Sequence, residues 1–156
     1  MKRHALWWSA MAMCVVFLGS AVTPARAVNI NFNASQCVAT SQAIGVKPDL
    51  RPFPIGLLNA TVADSVAVVC SIPRSPLQSN IPAGFYIDGD GAGTSCTLYV
   101  YNYTGDFLGG VSFTNSAAKY DAYLSLPFQQ VPFYAYTALW CYLPPSGILR
   151  GVTSLQ

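Results

Sequence analysis

Residues 94–103 read T-S-C-T-L-Y-V-Y-N-Y, and residues 133–143 read F-Y-A-Y-T-A-L-W-C-Y-L. In both stretches small or aliphatic side chains and cysteine alternate with aromatic or hydroxyl-bearing side chains. Successive side chains of a β-strand point to opposite faces of its sheet, so a period of two is typical of a strand with one buried face. The alternation therefore predicts two strands, each with its aromatic rings on one side.

A buried cysteine fixes which residues of each strand point inward. With Cys96 inside, the inward set gains Leu98 and Val100, and the outward set is Thr97, Tyr99, Tyr101 and Tyr103. With Cys141 inside, the inward set is Phe133, Ala135, Thr137, Leu139 and Leu143, and the outward set is Tyr134, Tyr136, Trp140 and Tyr142. The same rule applied to Cys70 places Val66, Val68 and Ile72 inside.

If these two strands are neighbours, their outward rings form one aromatic surface. Planar rings offer a large contact area at a small entropic cost, and exposed aromatic patches mark recognition sites. We therefore expect binding of a glycan or a protein partner. The alternative is structural, because tyrosine favours strands and cross-strand aromatic pairs stabilise sheets. The predicted binding residues are Tyr99, Tyr101, Tyr103, Tyr134, Tyr136, Trp140 and Tyr142.

The whole chain follows the same β pattern. Glutamate is absent and eleven prolines are spread along the sequence, whereas short runs rich in Val, Thr, Tyr and Phe recur between turn residues. The predicted strands are 56–61, 65–72, 84–88, 94–103, 108–114, 119–126, 133–143 and 148–153. This spacing predicts an all-β fold, an antiparallel two-sheet β-sandwich of about eight short strands. Residues 45–55 are expected to form an extended connection, and residues 74–84 a loop.

The N-terminus has the parts of an export signal. Lys2 and Arg3 precede an apolar run over 5–18, and Ala25-Arg26-Ala27 matches a cleavage site. The pattern predicts a signal peptide over 1–27, removed on export, and a single β-sandwich domain over 28–156. We expect a secreted or periplasmic protein, with no membrane segment after signal cleavage.

Removal of the signal also changes the charge. Lys2, Arg3 and Arg26 leave with it, so five basic residues face six aspartates and the formal net charge changes from +2 to −1. Nucleic-acid binding depends on clustered Lys and Arg, and we expect none here.

Four cysteines remain after residue 27: Cys37, Cys70, Cys96 and Cys141. In an exported domain an even number predicts two disulfides, with three possible connectivities. Loop-closure entropy favours Cys37–Cys70 with Cys96–Cys141, because these pairs close the shorter loops. A zinc site is disfavoured because no C-x-x-C pair is present and the only histidine, His4, lies in the predicted signal.

Several short patterns also resemble a known group. They are Gly56-x-x-Asn59-x-Thr61, Val69-Cys70-x-x-Pro73-Arg74, Asp88, Cys96-x-Leu98 and Cys141-x-Leu143-Pro144. This cysteine and proline pattern resembles a family of small exported bacterial proteins described only as uncharacterised secreted proteins. Ser71 and Ile72 stand between Cys70 and Pro73, where the family has proline directly after the cysteine. The resemblance implies an exported, disulfide-bonded β domain, and it implies no activity.

The aspartates give two weaker hypotheses. Residues 88–93 read D-G-D-G-A-G, and in this segment Asp88 and Asp90 are close enough to bind one calcium ion together. A plain turn after a strand is the favoured interpretation of the same residues. We expect no other cofactor. A pair drawn from Asp88, Asp90, Asp106 and Asp121 is the basis of the alternative function, an extracytoplasmic hydrolase. Ser–His and Cys–His chemistry lacks its histidine, so we expect a binding protein and not an enzyme.

Overall fold

The structure is a computed structural model that describes residues 29–40, 49–73, 83–127, 131–132 and 134–155. The predicted signal peptide, Phe133 and residues 74–82 of the predicted loop lie outside these ranges. Within the described ranges, the protein contains no helix with the length and apolar character needed to cross a bilayer.

The described residues form eleven strands in two antiparallel sheets. The strands are β1 (Ile30–Asn33), β2 (Val38–Ala39), β3 (Leu50–Phe53), β4 (Gly56–Asn59), β5 (Val66–Ile72), β6 (Ala83–Asp90), β7 (Ser95–Tyr101), β8 (Phe107–Thr114), β9 (Lys119–Leu126), β10 (Tyr136–Leu143) and β11 (Ile148–Leu155). Sheet A has the order β3-β4-β11-β6-β9, with β1 also paired to β11, and sheet B has the order β2-β5-β10-β7-β8. The predicted all-β, two-sheet antiparallel architecture is confirmed.

The eight predicted strands correspond to β4–β11. The expected extended connection over 45–55 is wrong for Leu50–Phe53, which pairs with β4 as the edge strand β3. Pro52 lies in this strand, and an edge position tolerates proline because one side of the strand needs no N–H donor. The short strands β1 and β2 were also not predicted.

The core lies between the inner faces of the two sheets. Its fully or almost fully buried side chains include Phe85, Ile87, Leu149 and Val152 from sheet A, and Val68, Leu98, Leu139 and Leu143 from sheet B. Burying one such aliphatic or aromatic side chain stabilises the fold by roughly 1.5–3 kcal/mol. The alternation seen in the sequence thus results from these two inner faces.

Both disulfides belong to sheet B and point into the core. Cys37 pairs with Cys70 and Cys96 with Cys141, as loop-closure entropy favoured. Cys96 and Cys141 are directly opposed residues of the β7–β10 ladder. Cys37 immediately precedes β2, whose Val38 is paired with Val69, the residue before Cys70. Each disulfide therefore fixes the register of two neighbouring strands.

Four asparagines of the described residues stabilise turns by the same contact. The side-chain Oδ1 atoms of Asn33, Asn59, Asn102 and Asn115 each accept a hydrogen bond from the backbone N–H two residues later, at 2.8–3.0 Å. Asn59 is fully buried, and its amide donates to the backbone oxygens of Asp64, Leu143 and Pro144, each at 2.9 Å. This side chain ties the β4–β5 connection to the end of β10.

Candidate functional site

The two strands that carry the predicted aromatic residues are neighbours in the centre of sheet B. In the β7–β10 ladder Tyr136 lies opposite Tyr101, and Trp140 lies opposite Thr97. Tyr99 is opposite Ala138. Large rings on one strand therefore face small residues on the other at two of these positions, which lets the rings lie in the spaces between.

The inward and outward sets follow the expected parity. Every described inward residue is buried: Val66, Val68, Cys70, Ile72, Cys96, Leu98, Val100, Ala135, Thr137, Leu139, Cys141 and Leu143. On the outward side Tyr136 is 49% exposed, Trp140 37% and Tyr142 52%. The rings therefore lie on the solvent side of the sheet.

Six outward rings make one continuous surface, which we call the aromatic face: Tyr99, Tyr101, Phe107, Tyr136, Trp140 and Tyr142. Tyr99 is its centre, with ring centroids 6.3 Å from Tyr101 and 6.5 Å from Trp140. Tyr142 extends the surface beyond Trp140 at 6.3 Å, and Tyr136 stacks on Tyr101 at 6.4 Å. Such separations lie within the favourable range for aromatic pairs.

Phe107 also belongs to the aromatic face, although the predicted strand 108–114 did not include it. Its ring lies 6.0 Å from Tyr101 and 6.3 Å from Tyr99, and it is 60% exposed. The hairpin closes with Asn102 N–H donating to Asp106 O at 3.0 Å, so the next residues outward, Tyr101 and Phe107, are paired. The sequence carries a signal for this position, because the turn residues N-Y-T-G-D over 102–106 place Phe107 opposite Tyr101 when they form a hairpin loop.

Tyr103 and Tyr134 form a separate edge-on pair at one end of the aromatic face, with centroids 5.7 Å apart. Tyr103 is 74% exposed and lies in the loop after β7. Asn102 fixes this loop, because its Oδ1 accepts from the N–H groups of Thr104 and Asp106. We refer to these two residues as the tyrosine pair.

Hydroxyl side chains border the other end of the aromatic face. Thr97 and Ser112 are hydrogen-bonded across β7 and β8 at 2.8 Å, and Thr114 donates to Ser95 at 3.2 Å. We call these four residues the hydroxyl patch. A shallow cleft of about 150 Å³ lies between this patch and the rings, lined by Ser95, Thr97, Tyr99, Trp140 and Tyr142.

Three aspartates of the alternative function, Asp88, Asp90 and Asp121, belong to sheet A and not to the sheet that carries the aromatic face. The turn predicted for Asp88 and Asp90 is wrong, because β6 continues to Asp90 and the turn falls on Gly91–Thr94. Pairing with β9 and β11 on both sides keeps this segment extended despite its Asp and Gly content. Gly91 and Gly93 supply the positive φ values of the turn, 123° and 91°.

Two of these aspartates are close neighbours. Asp88 lies opposite Asp121 in the β6–β9 ladder, so the two carboxyl groups are on the same face of sheet A. Partial burial, together with the charge of Asp121, raises the pKa of Asp88, and the Arg150 guanidinium opposes this shift. Asp90 instead forms an ion pair with Arg150, whose Nε lies 2.9 Å from a carboxylate oxygen.

Asp88 and Asp90 line an open depression of about 690 Å³ with Lys119, Tyr120 and Arg150. In the part of the chain that the structure describes, no three His, Cys, Asp or Glu side chains cluster as a metal site needs. Calcium at Asp88 and Asp90 stays a prediction. Asp106 is remote from them in sequence and belongs to the loop after β7, so it is not part of this cluster.

Comparison with known proteins adds little to this geometry. No protein-family model matches the chain, and no curated protein matches it. Among solved structures, the chain is similar to the enzymatically active domain of tailspike protein 4 from bacteriophage CBA120, at 12% identity and a TM-score of 0.38. The match covers 81% of this chain but 18% of that chain, so the protein spans only a small part of its length. A likeness this weak assigns neither fold nor function.

Proposed function

We propose that this protein is an exported β-sandwich domain that binds carbohydrate through the aromatic face. The observation that supports this most is the continuity of six solvent-facing rings on one sheet. Sugar rings have flat C–H faces that pack on aromatic side chains, and they carry hydroxyl groups around their edges. A ligand of this kind uses both the rings and the neighbouring hydroxyl patch.

The aromatic face is preorganised. Tyr99, Tyr101 and Trp140 project from the neighbouring strands β7 and β10, and Tyr99 contacts both other rings. A disulfide joins the same two strands on the inner face. Side chains already held in place lose little conformational entropy when a ligand binds. The disulfides are also consistent with an extracellular location, because they persist in oxidising compartments.

A protein partner is less well supported by the same surface. Protein interfaces are enriched in arginine and methionine besides aromatic residues. The strands of sheet B contain neither residue, and the outward positions beside the rings are instead Ser95, Thr97, Ser112 and Thr114. Hydroxyl groups beside rings match a polyol better than an apolar protein surface.

A hydrolase is the second candidate, since Asp88 lines an open depression and lies opposite Asp121 in the β6–β9 ladder. Glycoside hydrolysis needs two carboxyl groups separated by about 5–9.5 Å, so that a sugar and a water fit between them. Asp88 and Asp121 are directly opposed on neighbouring strands, where Cβ atoms lie about 4.5–5.5 Å apart, so both carboxyl groups project from one surface rather than from the two sides of a sugar-sized gap. Release of reducing ends from a polysaccharide, abolished in both Asp88→Asn and Asp121→Asn, is the result that would favour the hydrolase.

The test of carbohydrate binding compares retention on insoluble polysaccharides between the native protein and the double variant Tyr101→Ala/Trp140→Ala. We expect the variant to lose roughly tenfold or more in affinity, the usual effect of removing a central aromatic contact. Tyr123→Ala is the matched control, because Tyr123 is 53% exposed but lies in sheet A. Equal retention of both proteins contradicts the proposal, and so does unfolding of the double variant, because the rings would then be structural.

A further inference from the structure

Charge is distributed very unevenly between the two sheets. The charged side chains that lie in strands are Arg51, Asp88, Asp90, Lys119, Asp121 and Arg150, and all of them belong to sheet A. The five strands of sheet B contain no charged residue. The aromatic face thus offers a ligand only ring faces, phenol and indole groups, hydroxyls and backbone.

Among the residues that the structure describes in sheet B, an anionic ligand finds no counter-charge. A carboxylate or sulfate pressed against Tyr99 and Trp140 would lose water without gaining a cation, which is unfavourable. The hydroxyls of Thr97 and Ser112, by contrast, can donate to and accept from the hydroxyls of a neutral sugar. The aromatic face is therefore expected to bind neutral sugars better than sugars that carry a negative charge.

Asp106 is charged and immediately precedes Phe107 of the aromatic face, and its negative charge strengthens the discrimination against anions. The carboxylate of Asp106 accepts hydrogen bonds from Thr104 Oγ1 at 2.6 Å and from Asn102 Nδ2 at 2.9 Å. These bonds lower the pKa of Asp106, so the side chain stays ionised at neutral pH. It lies in the same loop as Tyr103, where its charge repels anions.

We propose that the aromatic face selects an uncharged polysaccharide and rejects chains that carry carboxylate or sulfate groups. This selectivity rests on the proposed function and names the class of its ligand. The rings run in a file from Tyr136 and Tyr101 through Tyr99 and Trp140 to Tyr142, on an open sheet face. Such a file contacts several units of an extended chain rather than enclosing one sugar.

Native-gel affinity electrophoresis of the protein tests this selectivity. The neutral probes are hydroxyethyl cellulose, laminarin and arabinoxylan, and the anionic probes are polygalacturonate and alginate. We expect at least one neutral probe to retard the protein and both anionic probes to leave its mobility unchanged. Dissociation constants for the neutral probe, measured by calorimetry in low and high salt, should agree within about twofold because no ion pair is formed.

Two variants strengthen the test. Asp106→Asn should keep the affinity for the neutral probe, whereas Ser112→Lys, which adds a cation beside the cleft, should gain retardation by polygalacturonate. Tyr123→Ala, on the other sheet, is the control for general effects on mobility.

The outcomes separate the two proposals. Retardation by neutral and anionic probes alike, or by anionic probes alone, overturns the charge selectivity and leaves carbohydrate binding standing. Retardation by no probe contradicts the proposed function itself.

Discussion

Cys96 and Cys141 face each other directly across the β7–β10 ladder, with their Cα atoms 4.1 Å apart. Their side chains point into the core, so the next residues along both strands point to solvent. One of these is Trp140, which lies opposite Thr97 in the same register. The disulfide on the inner face thus fixes the relative positions of the rings on the outer face.

Removal of the Cys96–Cys141 disulfide should lower the stability of the folded protein. We expect Cys96→Ala/Cys141→Ala to lower the free energy of unfolding by roughly 2–4 kcal/mol, since the bond closes a long loop in the unfolded chain. Urea denaturation measures this change, with Cys37→Ala/Cys70→Ala as the matched variant. Because the bonds close loops of 45 and 33 residues, the two losses should be similar. An unchanged midpoint in the Cys96–Cys141 variant would contradict this interpretation.

Asn59 is expected to be the most sensitive polar residue of the core. Its amide makes three donor contacts to backbone oxygens, and its Oδ1 accepts from both Thr61 N–H and Thr61 Oγ1. Asn59→Ala removes these hydrogen bonds from a fully buried position and should cost roughly 2–3 kcal/mol. Thermal denaturation measures the loss, and Asn31→Ala on the exposed strand β1 is the control. Equal stability of the two variants would show that the buried network contributes little.

The Asp88–Asp121 pair predicts an acid-dependent contribution to stability. Burial and Asp121 raise the pKa of Asp88 above its ordinary value of 3.8, so the folded protein binds this proton more tightly than the unfolded chain. The stabilising contribution is therefore complete below pH 3.8 and is lost as the pH rises through the higher folded-state pKa. At neutral pH the partly buried negative charge of Asp88 therefore opposes folding.

Asp88→Asn should consequently be more stable than the native protein at pH 7. The gain stays below about 1 kcal/mol, because solvent screens partly exposed charges. Asp90 and Arg150 also face Asp88, and their ion pair is retained in the variant. Urea denaturation at pH 7 and pH 3 checks this, with Asp64→Asn in an exposed loop as control. A gain that is the same at both pH values would mean that the ionisation of Asp88 is not its cause.

Phe107 tests the boundary of the aromatic face. Phe107→Ala removes a ring that contacts both Tyr99 and Tyr101 but is 60% exposed, so we expect a threefold to tenfold loss of polysaccharide affinity, about 0.7–1.4 kcal/mol. The melting temperature should change little. Val38→Ala, equally exposed at 60% at the opposite edge of sheet B, is the control. If Phe107→Ala binds as tightly as the Val38 variant, the ligand does not reach this end.

The two-sheet β-sandwich could be predicted from the sequence, and so could the inward and outward faces of the strands that contain Cys70, Cys96 and Cys141. The inner residues Leu98 and Leu139 alternate strictly with outer rings, and a buried cysteine in each strand gives the alternation its direction. The disulfide pairing followed from loop length, although the entropic preference was small. The faces of a strand depend on residues close in sequence, and the disulfide pairing follows the general rule that short loops cost less entropy to close.

Features that depend on distant neighbours were missed. Asp88 and Asp90 have the local preference of a turn, but ladders on both sides hold them in β6. Leu50–Phe53 contains Pro52 and lacks alternation, and only its pairing with β4 makes it a strand. The contact between Asp88 and Asp121 depends on the register of β6 and β9, which composition does not specify.

Trp140 allows the most direct measurement of the central claim. Trp7 and Trp8 lie in the predicted signal peptide, so Trp140 is the only tryptophan of residues 28–156 and reports on the middle of the aromatic face. Its fluorescence is recorded while hydroxyethyl cellulose, laminarin or arabinoxylan is added, for the native protein and for Tyr101→Ala. We expect a saturable change with at least one polysaccharide and an affinity roughly tenfold weaker in the variant. Unchanged emission with all three polysaccharides, or equal affinity of both proteins, would contradict carbohydrate binding at this face.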